Sequence, residues 1–508
     1  MIGRFWHRAP WGMAVIAAAL ALFDVQFSVA GRMVTLAAMV IALAGVLAAP
    51  LADAMLIGIA ASLFPGDAAL FGVTLALLYR VIRIGGLRFS GSLRSLLLFG
   101  FFISATASAV FGLITIGARP LQWFVWMVTL GAPLLLLGAA CPRLPDQIAP
   151  LLSRFLLFVL WLQVPICIVQ LIRHGEPEPG DWFAGTWGNA NLVGLWGAAT
   201  LSVCVVRLLT RTAALDGRRA WMMGCANVVA STFLVWGASA KLYSACIFGA
   251  AGLVIVMLMV VGTDLSRLRT VRRSSMAILV ILLTGVLAQS WVRDNFEGLV
   301  SNWENSEKRI LLTRVFFELG QRYNSILGVG PGMLGSRAAS AASADILYKE
   351  TEGPFARLLG PAPEPERWAM YGLWDAEVAQ EITNKSAILT MPFSGWASLR
   401  AELGWPAVVV LAFYFVSLAR QMAIIAARHP GARGIGIAAA VGCVALVPML
   451  FFDNILEQPH FIGPLAILVI ASRGVAADLD RRAKASAVVR ATELETPADH
   501  LHPHALRA

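Results

Sequence analysis

The feature that most constrains this chain is a series of long apolar runs without a charged residue. Two of them are 242–262 (LYSACIFGAAGLVIVMLMVVG) and 275–291 (SMAILVILLTGVLAQSW). Each is about as long as a helix that crosses the hydrocarbon core of a bilayer, which takes about 20 residues. One such run would fit the buried core helix of a soluble protein, but no soluble core needs so many. The runs therefore predict an integral membrane protein made of transmembrane helices.

The overall composition agrees with this class and argues against a nucleic-acid-binding protein. Hydrophobic residues make up 58% of the chain and charged residues 14%, whereas soluble domains are about 25% charged. The net charge is +10, but the basic residues lie in short loops between apolar runs and in the C-terminal tail. Because this distribution orients membrane helices by the positive-inside rule, we expect no nucleic-acid partner.

Candidate transmembrane spans can be placed along the chain, and the arginine-rich loops test their order. When the spans alternate, these loops all fall on one side of the membrane. The positive-inside rule makes that side cytoplasmic and places both termini there, in an even number of about 12–14 spans. Residues 31–64 form either two short helices or one broken helix. The predicted spans are 11–30, 33–50, 51–64, 67–82, 95–117, 121–141, 155–172, 189–206, 221–237, 242–262, 275–291, 398–419, 434–452 and 459–472.

The polar segments divide the chain into four regions. Transmembrane helices occupy 1–291 and again 397–474. Between them lies one large loop, 292–396, on the side that the charge pattern makes periplasmic. Residues 475–508 are charged and rich in alanine without an apolar period, so we expect a disordered cytoplasmic tail. The expected fold class is an all-α, polytopic transmembrane helix bundle with one large periplasmic loop.

The sequence lacks the motifs of soluble enzymes and of metal sites. It contains no Walker loop, no CxxC pair and no HExxH, the motifs that bind phosphates or metals in soluble enzymes. Most of its cysteines lie in apolar runs and are interpreted as small buried hydrophobic residues. His500, His502 and His504 are spaced so that they could bind a metal, but a disordered tail is the preferred interpretation. We therefore predict neither a metal nor a cofactor.

The first polar feature on the predicted periplasmic side is GTWGNANLVGLWG at 185–197. Asn189 and Asn191 lie at the start of an apolar helix, where they fit either substrate contacts or a helix cap with small-residue packing beside it. Lys241, in SAKLYSA at 239–245, is a cation at the outer end of a later helix. Lys241 fits a functional cation and a cation that only marks the membrane interface equally well.

The second feature is a set of arginines that precedes and follows the glycine-rich LGVGPGML at 327–334. Arg309, Arg314 and Arg322 come before it in the large loop. Arginine stays charged and can bind a phosphate group through two hydrogen bonds, so the set fits a lipid pyrophosphate. Pairing with acidic residues of the same loop is the competing interpretation.

The third feature is the segment in which the chain returns to the membrane, SGWASLRAELGWPAVVVLAFYF at 394–415. Arg400 and Glu402 lie at the start of this apolar helix. Ionisable groups near the end of a membrane helix are costly and often functional. They can also mark the interface, where tryptophan side chains would anchor the helix.

Taken together, these segments resemble the O-antigen ligase and O-antigen polymerase superfamily of bacterial multi-pass membrane proteins. GTWGNAN looks like the GTFGNPN-type segment of that family, and SAKLYSA is similar to its Ser-Arg-type segment, with Lys241 in place of arginine. KRILLTRVFFELGQRYNSILGVGPGML looks like the block of an arginine, a spacer and GVGxG. LRAELGWPAVVVLAFYF resembles the ELGxxG-like block, with Pro406 near the second glycine. The four blocks follow the family's order from about 185 to 415.

The resemblance implies a GT-C-like membrane glycosyltransferase in a bacterial inner membrane. Its donor would be an undecaprenyl-pyrophosphate-linked oligosaccharide, used at the periplasmic face without a nucleotide sugar, a metal or another cofactor. Arg309 would bind the pyrophosphate, with Lys241 as a second cation and Arg314 beside them. Other implied roles are catalysis for Glu402, as a general base, and for Arg400, and further substrate contacts for Asn189, Asn191, Arg322, Gly330 and Gly332.

One departure from the family decides between its branches. Ligases usually carry a His-Asn pair about ten residues before the ELG element, where this chain has Phe393 and Ser394, and 292–396 contains no histidine. We therefore favour a polymerase of O-antigen or exopolysaccharide repeat units, with a chain-length regulator and export machinery as partners beside membrane lipid. The first alternative is a ligase that transfers the glycan to lipid A–core or another acceptor. The second is a polysaccharide transporter or flippase.

Overall fold

The described part of the protein is entirely helical apart from turns and short connections. A computed structural model describes residues 2–87, 92–139, 144–145, 147–174, 184–187, 189–209, 218–238, 241–261, 312–342, 362–370, 394–451 and 453–495. Within those ranges no β-strand occurs. Seven of the helices there are long and apolar enough to cross a membrane. The prediction of an all-α membrane protein is confirmed at this level.

The helices follow the apolar runs of the sequence. α6 contains a π-helical stretch, Met127–Gly131, and α11 is a π-helical turn continued by one α-helical turn. In chain order the helices are α1 (Ile2–Leu22), α2 (Val29–Ala48), α3 (Leu51–Ala61), α4 (Asp67–Arg83), α5 (Leu93–Thr115), α6 (Pro120–Gly138), α7 (Ile148–His174), α8 (Ala190–Leu209), α9 (Arg218–Gly237), α10 (Lys241–Val260), α11 (Arg314–Glu318 and Leu319–Arg322), α12 (Arg337–Ala342), α13 (Glu364–Met370), α14 (Gly395–Arg428), α15 (Arg433–Met449) and α16 (Pro459–Glu495).

Thirteen of the fourteen predicted spans coincide with a helix, and the remaining one, 275–291, lies outside the described residues. The open question over 31–64 is answered by two helices, α2 and α3. Pro50 lies between them as the N-cap of α3. Proline lacks a backbone N–H and disfavours a helical conformation in the residue before it, so α2 ends there. α3 has 11 residues, which is too short for a full crossing at 1.5 Å per residue.

The end of α16 corrects the prediction of a disordered tail. The helix continues to Glu495, so 475–495 is helical, while 496–508 lies outside the described residues. Asp478 forms ion pairs along the helix with Arg481 at 3.5 Å and Arg482 at 2.7 Å. Spacings of three and four residues stabilise a helix. An alanine-rich segment also extends a helix readily once the apolar part has nucleated it.

The most buried spans are α15 and α16, and α14 packs on α15 and α5. α2 and α5 instead expose many large apolar side chains, with Val29 82% and Ile114 75% exposed. Such an apolar outer surface is expected of helices that face lipid, where the hydrophobic effect does not penalise it.

Candidate functional site at one end of the bundle

A break inside α14 organises the candidate site. Gly404 has φ 77° in an otherwise helical stretch, and an added Cβ would lie 1.8 Å from the carbonyl oxygen of Ile326. Only glycine fits both the positive φ and this close approach. The break leaves the Glu402 carbonyl without its usual helical donor, because that donor would be the missing N–H of Pro406.

The carbonyls freed by the break accept hydrogen bonds from the glycine-rich loop. The Val329 N–H donates to Ala401 O at 2.9 Å, and the Gly330 N–H donates to Glu402 O at 3.0 Å. The Ser108 hydroxyl of α5 also donates to Glu402 O. The helix break, α5 and the loop therefore form one hydrogen-bonded unit.

Close backbone packing explains the glycines of this loop. Gly330 and Gly332 both have positive φ, at 102° and 78°. An added Cβ on Gly332 would lie 2.9 Å from Gln122 O, and one on Gly330 would lie 3.2 Å from the Cα of Gly112. Their role in substrate binding stays a prediction, since the contacts in the described part are with α5, α6 and α14.

Three buried glutamates hold the end of the loop, which we define as the residues 334–337. Each carboxylate accepts a hydrogen bond from a backbone N–H of this segment, and none of the three glutamates is more than 3% exposed. Glu402 also accepts from the Ser336 hydroxyl and the Gly332 N–H. The pairs are Glu402 with Leu334 N at 3.1 Å, Glu366 with Gly335 N at 2.9 Å and Glu457 with Arg337 N at 2.7 Å.

Two of these glutamates, which lie outside the membrane-spanning helices, titrate near neutral pH. Burial raises the pKa of Glu366 to about 7, and the hydrogen bond from Gly335 offsets only part of this. Burial likewise raises the pKa of Glu457 to about 7, although Arg337, Thr129 and other donors act in the opposite direction. Both carboxyls therefore change charge around pH 7, because desolvation disfavours the ionised form.

An ion-pair network joins the loop to α4 and α16. The Arg337 guanidinium lies 2.5 Å from the Asp67 carboxylate, and His460 Nε2 lies 3.0 Å from the same carboxylate. The other ring nitrogen of His460 lies 2.7 Å from Ser62 O, so it carries a proton and donates. The Trp187 indole N–H donates to the same carbonyl at 2.7 Å. The turn at 185–187 is thereby placed at this end of the bundle.

Arg400 is the one fully buried arginine of the described residues, with 1% of its surface exposed. Its Nε and Nη1 atoms have no hydrogen-bond partner in the described part of the chain. The Trp405 ring lies 5.3 Å from the guanidinium carbon, and a Cβ added to Gly320 would lie 3.4 Å from Nη2. Burying a guanidinium without partners is costly, so this group is a candidate for binding an anion.

Two other predicted arginines contact protein groups. Arg314 donates to Ala369 O at 2.8 Å and so attaches α11 to α13. Arg322 forms an exposed ion pair with Glu364 at 2.8 Å and stacks on Trp368 at 5.4 Å. These contacts stabilise the packing of the large-loop helices, whereas pyrophosphate binding by either arginine stays a prediction.

The remaining predicted residues lie at the edge of what the structure describes. Arg309 is outside the described residues, and Lys241 begins α10 with its side chain outside them. The proximity of these two cations stays a prediction. The Asn189 side chain accepts from the N–H groups of Asn191 at 2.9 Å and Leu192 at 3.4 Å. It therefore caps α8, which is one of the two interpretations that the sequence left open. Asn191 is exposed.

The sequence interpretation missed Glu366, Glu457, Asp67 and His460, and it named Arg337 only as the arginine that follows the glycine-rich segment. Glu457, Asp67 and His460 are ionisable residues beside apolar segments of a chain that is poor in charge, and this was the available signal. Glu366 lies in the charged, proline-rich PAPEPERW stretch and carried no such signal. Within the described ranges no three such side chains are grouped as metal ligands. The residues are instead bound to one another and to the backbone.

No model of a known protein family matches this chain, and no curated protein matches it. Inference about function therefore depends on the site geometry and on the four short segments of the sequence. Three of the segments, the 185–187 turn, the loop before Arg337 and the start of α14, meet at one end of the bundle. The fourth begins α10 directly after α9.

Proposed function

We propose that the protein is a GT-C-like membrane glycosyltransferase. It polymerises undecaprenyl-pyrophosphate-linked oligosaccharide repeat units at the periplasmic face of a bacterial inner membrane. The observation that carries the proposal is the buried guanidinium of Arg400, whose Nε and Nη1 have no partner among the described residues. Transfer of a glycan from such a donor breaks its bond to the pyrophosphate and releases undecaprenyl pyrophosphate, and a fixed cation beside this leaving group stabilises the charge that develops.

The chemistry of arginine supports this role for Arg400. Its guanidinium keeps its charge and offers several N–H donors in one plane, which match the oxygens of a phosphate group. The Trp405 ring lies against it in a cation–π contact, while Nε and Nη1 have no hydrogen-bond acceptor among the described residues. A bound pyrophosphate would supply acceptors for these two donors.

Glu402 lies two residues from Arg400 and supports the site in a different way. Its side chain accepts from Leu334 N, and its backbone carbonyl accepts from Gly330 N. Glu402 thereby positions the loop against the helix that carries Arg400. This arrangement favours a positioning role over the general-base role that the family resemblance implies.

The sequence of the large loop supports a polymerase over a ligase, since 292–396 contains no histidine. In this proposal the loop is periplasmic, and it carries part of the binding site for the growing glycan. Arg309 and Lys241 are proposed to contact the pyrophosphate together with Arg400.

The test is elongation of a lipid-linked repeat unit by the purified full-length protein in nanodiscs, with no other acceptor. We expect a ladder of longer lipid-linked glycans. Replacing Arg400 by lysine keeps a positive charge but removes the planar set of donors, so elongation falls by about 10²-fold. The matched control is Arg367→Lys, which changes an exposed arginine of α13 in the large loop and leaves elongation close to the wild-type rate.

Two results would contradict the proposal. If glycan is transferred only after lipid A–core or another acceptor is added, the protein is a ligase. If the folded wild-type protein transfers nothing under either condition, and the repeat unit is confirmed to be the correct one, the protein is not a glycosyltransferase of this kind.

A further inference from the structure

A second cluster of cations lies at the opposite end of the bundle from Arg400. Arg94 is in the first turn of α5, Arg420 is near the end of α14, and Arg473 is in α16. The other ends of these three helices, at Gly112, Gly404 and His460, belong to the site described above. The charge pattern of the sequence makes the arginine end cytoplasmic.

Arg473 connects three helices of this cluster. Its Nη1 donates to Leu137 O at 2.9 Å and to Ala139 O at 2.7 Å, and its Nε donates to Gln421 Oε1 at 3.0 Å. These bonds close the C-terminal end of α6, whose last carbonyls have no helical donor. Arg473 is therefore held in place beside Gln421, the residue that follows Arg420 in α14.

Arg94 shares this region with like charges. The ionisable groups that act on its guanidinium are those of Arg473 and Arg420, together with the Tyr414 phenol. No carboxylate of the described residues is paired with Arg94 or Arg420. Cations that converge in a partly desolvated region repel one another, so the arrangement favours an anion between them.

A buried hydroxyl beside the cluster gives an independent indication of a ligand. Tyr414 is 1% exposed, and its hydroxyl lies close to the guanidinium groups of Arg473 and Arg94. The Arg473 guanidinium is a donor to this hydroxyl, but the hydroxyl's own proton has no acceptor in the described part of the chain. A buried donor without an acceptor costs free energy unless a ligand or water meets it.

We propose that Arg94, Arg420, Arg473 and the Tyr414 hydroxyl form a site for the phosphate group of an anionic phospholipid. Arginine binds phosphate oxygens through paired hydrogen bonds, and basic pockets between membrane helices on the cytoplasmic side hold lipid headgroups. A phospholipid is favoured over free phosphate as the ligand because the helices that carry these arginines also expose apolar side chains.

Apolar side chains next to the arginines support a lipid. On α5, Leu93 is 67% and Leu96 59% exposed, and on α14 Phe413 is 63% and Val416 51% exposed. These side chains face the surroundings on the same helices that carry Arg94 and Arg420. A phosphate group that reaches the arginines from this apolar surface belongs to a phospholipid, whose acyl chains pack on the apolar side chains. The site does not depend on the proposed glycosyltransferase activity.

The test uses the purified full-length protein, stripped of lipid by detergent exchange. Phosphatidylglycerol, cardiolipin, phosphatidylcholine and inorganic phosphate are added in separate arms. Native mass spectrometry counts retained lipids, and thermal unfolding reports stabilisation. We expect the two anionic lipids to be retained and to raise the unfolding temperature, whereas phosphatidylcholine and phosphate do neither.

Variants separate this site from a general surface charge. Arg94→Gln and Arg420→Gln each weaken binding of the anionic lipids by about fivefold, the usual contribution of one basic residue near an anionic headgroup. Tyr414→Phe weakens binding with little change to packing. The control is Arg428→Gln, at the exposed end of the same helix as Arg420, and it leaves binding unchanged.

Three outcomes would overturn the inference. Anionic and zwitterionic lipids that bind equally show that no phosphate site of this kind exists. An equal loss in Arg428→Gln and Arg420→Gln assigns the effect to diffuse charge. Stabilisation by inorganic phosphate alone, with no additional effect of the lipids, assigns the site to a free anion and refutes the lipid.

Discussion

Arg400 and Glu402 lie two residues apart in α14, and both are buried, yet they differ in how far the described fold satisfies their hydrogen-bonding groups. Glu402 accepts hydrogen bonds from the loop. Arg400 has two nitrogen atoms without a partner among the described residues and an aromatic ring beside it. Stability therefore explains Glu402, whereas Arg400 is retained at a cost that binding of an anion would offset.

Arg400→Met is expected to separate stability from function. Methionine fills a similar volume without a charge to desolvate, so the unfolding free energy rises by about 1 kcal/mol or more. We expect the same change to abolish the proposed elongation of the lipid-linked glycan. Thermal unfolding in phosphate-free buffer and the elongation assay measure the two effects. Marked destabilisation would instead show that Arg400 has a structural partner.

Glu402→Gln tests whether this carboxylate positions the loop or transfers a proton. Because the amide oxygen of glutamine still accepts from Leu334 N, we expect the variant to fold and to retain most of its elongation activity. Glu402→Leu leaves buried N–H groups unpaired and costs about 1–3 kcal/mol for each. Loss of about 10²-fold or more in Glu402→Gln, with unchanged stability, would assign Glu402 as the general base.

At the scale of elements, α14 is two helical pieces joined at Gly404. The break frees the backbone carbonyls to which the glycine-rich loop donates its hydrogen bonds. Pro406 removes one donor, and the Trp405 N–H turns to Ser325 O at 3.5 Å. The freed carbonyls take the N–H groups of the glycine-rich loop in their place. Hydrogen bonding is thus conserved across the break, as buried backbone groups require.

Gly404→Ala is expected to disrupt this junction. A positive φ costs a residue with a side chain about 1–2 kcal/mol, and the contact with Ile326 O adds to it because an added Cβ would lie 1.8 Å away. The variant should unfold at a lower temperature and lose elongation. Gly72→Ala in α4 is the control, since nothing lies within 4 Å of its added Cβ. Equal unfolding temperatures for Gly404→Ala and wild type would contradict this account.

At the scale of the whole molecule, acids from three separate parts of the chain converge on one segment. Glu366 comes from α13, Glu402 from α14 and Glu457 from the turn before α16. Their partners are N–H groups of residues 334–337. The stability of this end of the helix bundle therefore depends on the protonation of three carboxyl groups that are distant from one another in sequence.

Stability is expected to fall as pH rises from about 4.5 to 7. Glu366 and Glu457 have a pKa of about 7 when folded, against an ordinary value of 4.5. The folded state therefore binds more protons than the unfolded state in this window, and raising the pH favours unfolding. Thermal unfolding from pH 4.5 to 8 measures the slope, which the double variant Glu366→Gln/Glu457→Gln should flatten.

The control for this pH dependence is Glu364→Gln, which changes an exposed carboxylate of the same helix as Glu366. It should leave the slope as in wild type. An unchanged slope in the double variant would show that other groups determine the pH dependence.

The sequence by itself determined the class of the protein and the place of its helices. Thirteen of fourteen predicted spans are helical, because apolar length is a local property that a short window of sequence contains. The same locality explains the error at 475–495. Composition alone suggested disorder there, but the helix that enters from the buried part of α16 extends through an alanine-rich segment.

Only the tertiary structure decided which polar groups meet. Glu402 and Glu457 lie 68 and 120 positions from their partners Leu334 and Arg337, and no local period encodes such a pairing. Arg400 looked equivalent to Glu402 in the sequence, since both are ionisable residues at the start of an apolar helix. Their difference appears only when the neighbours are known, because the cost of burying a charge depends on the donors and acceptors that surround it.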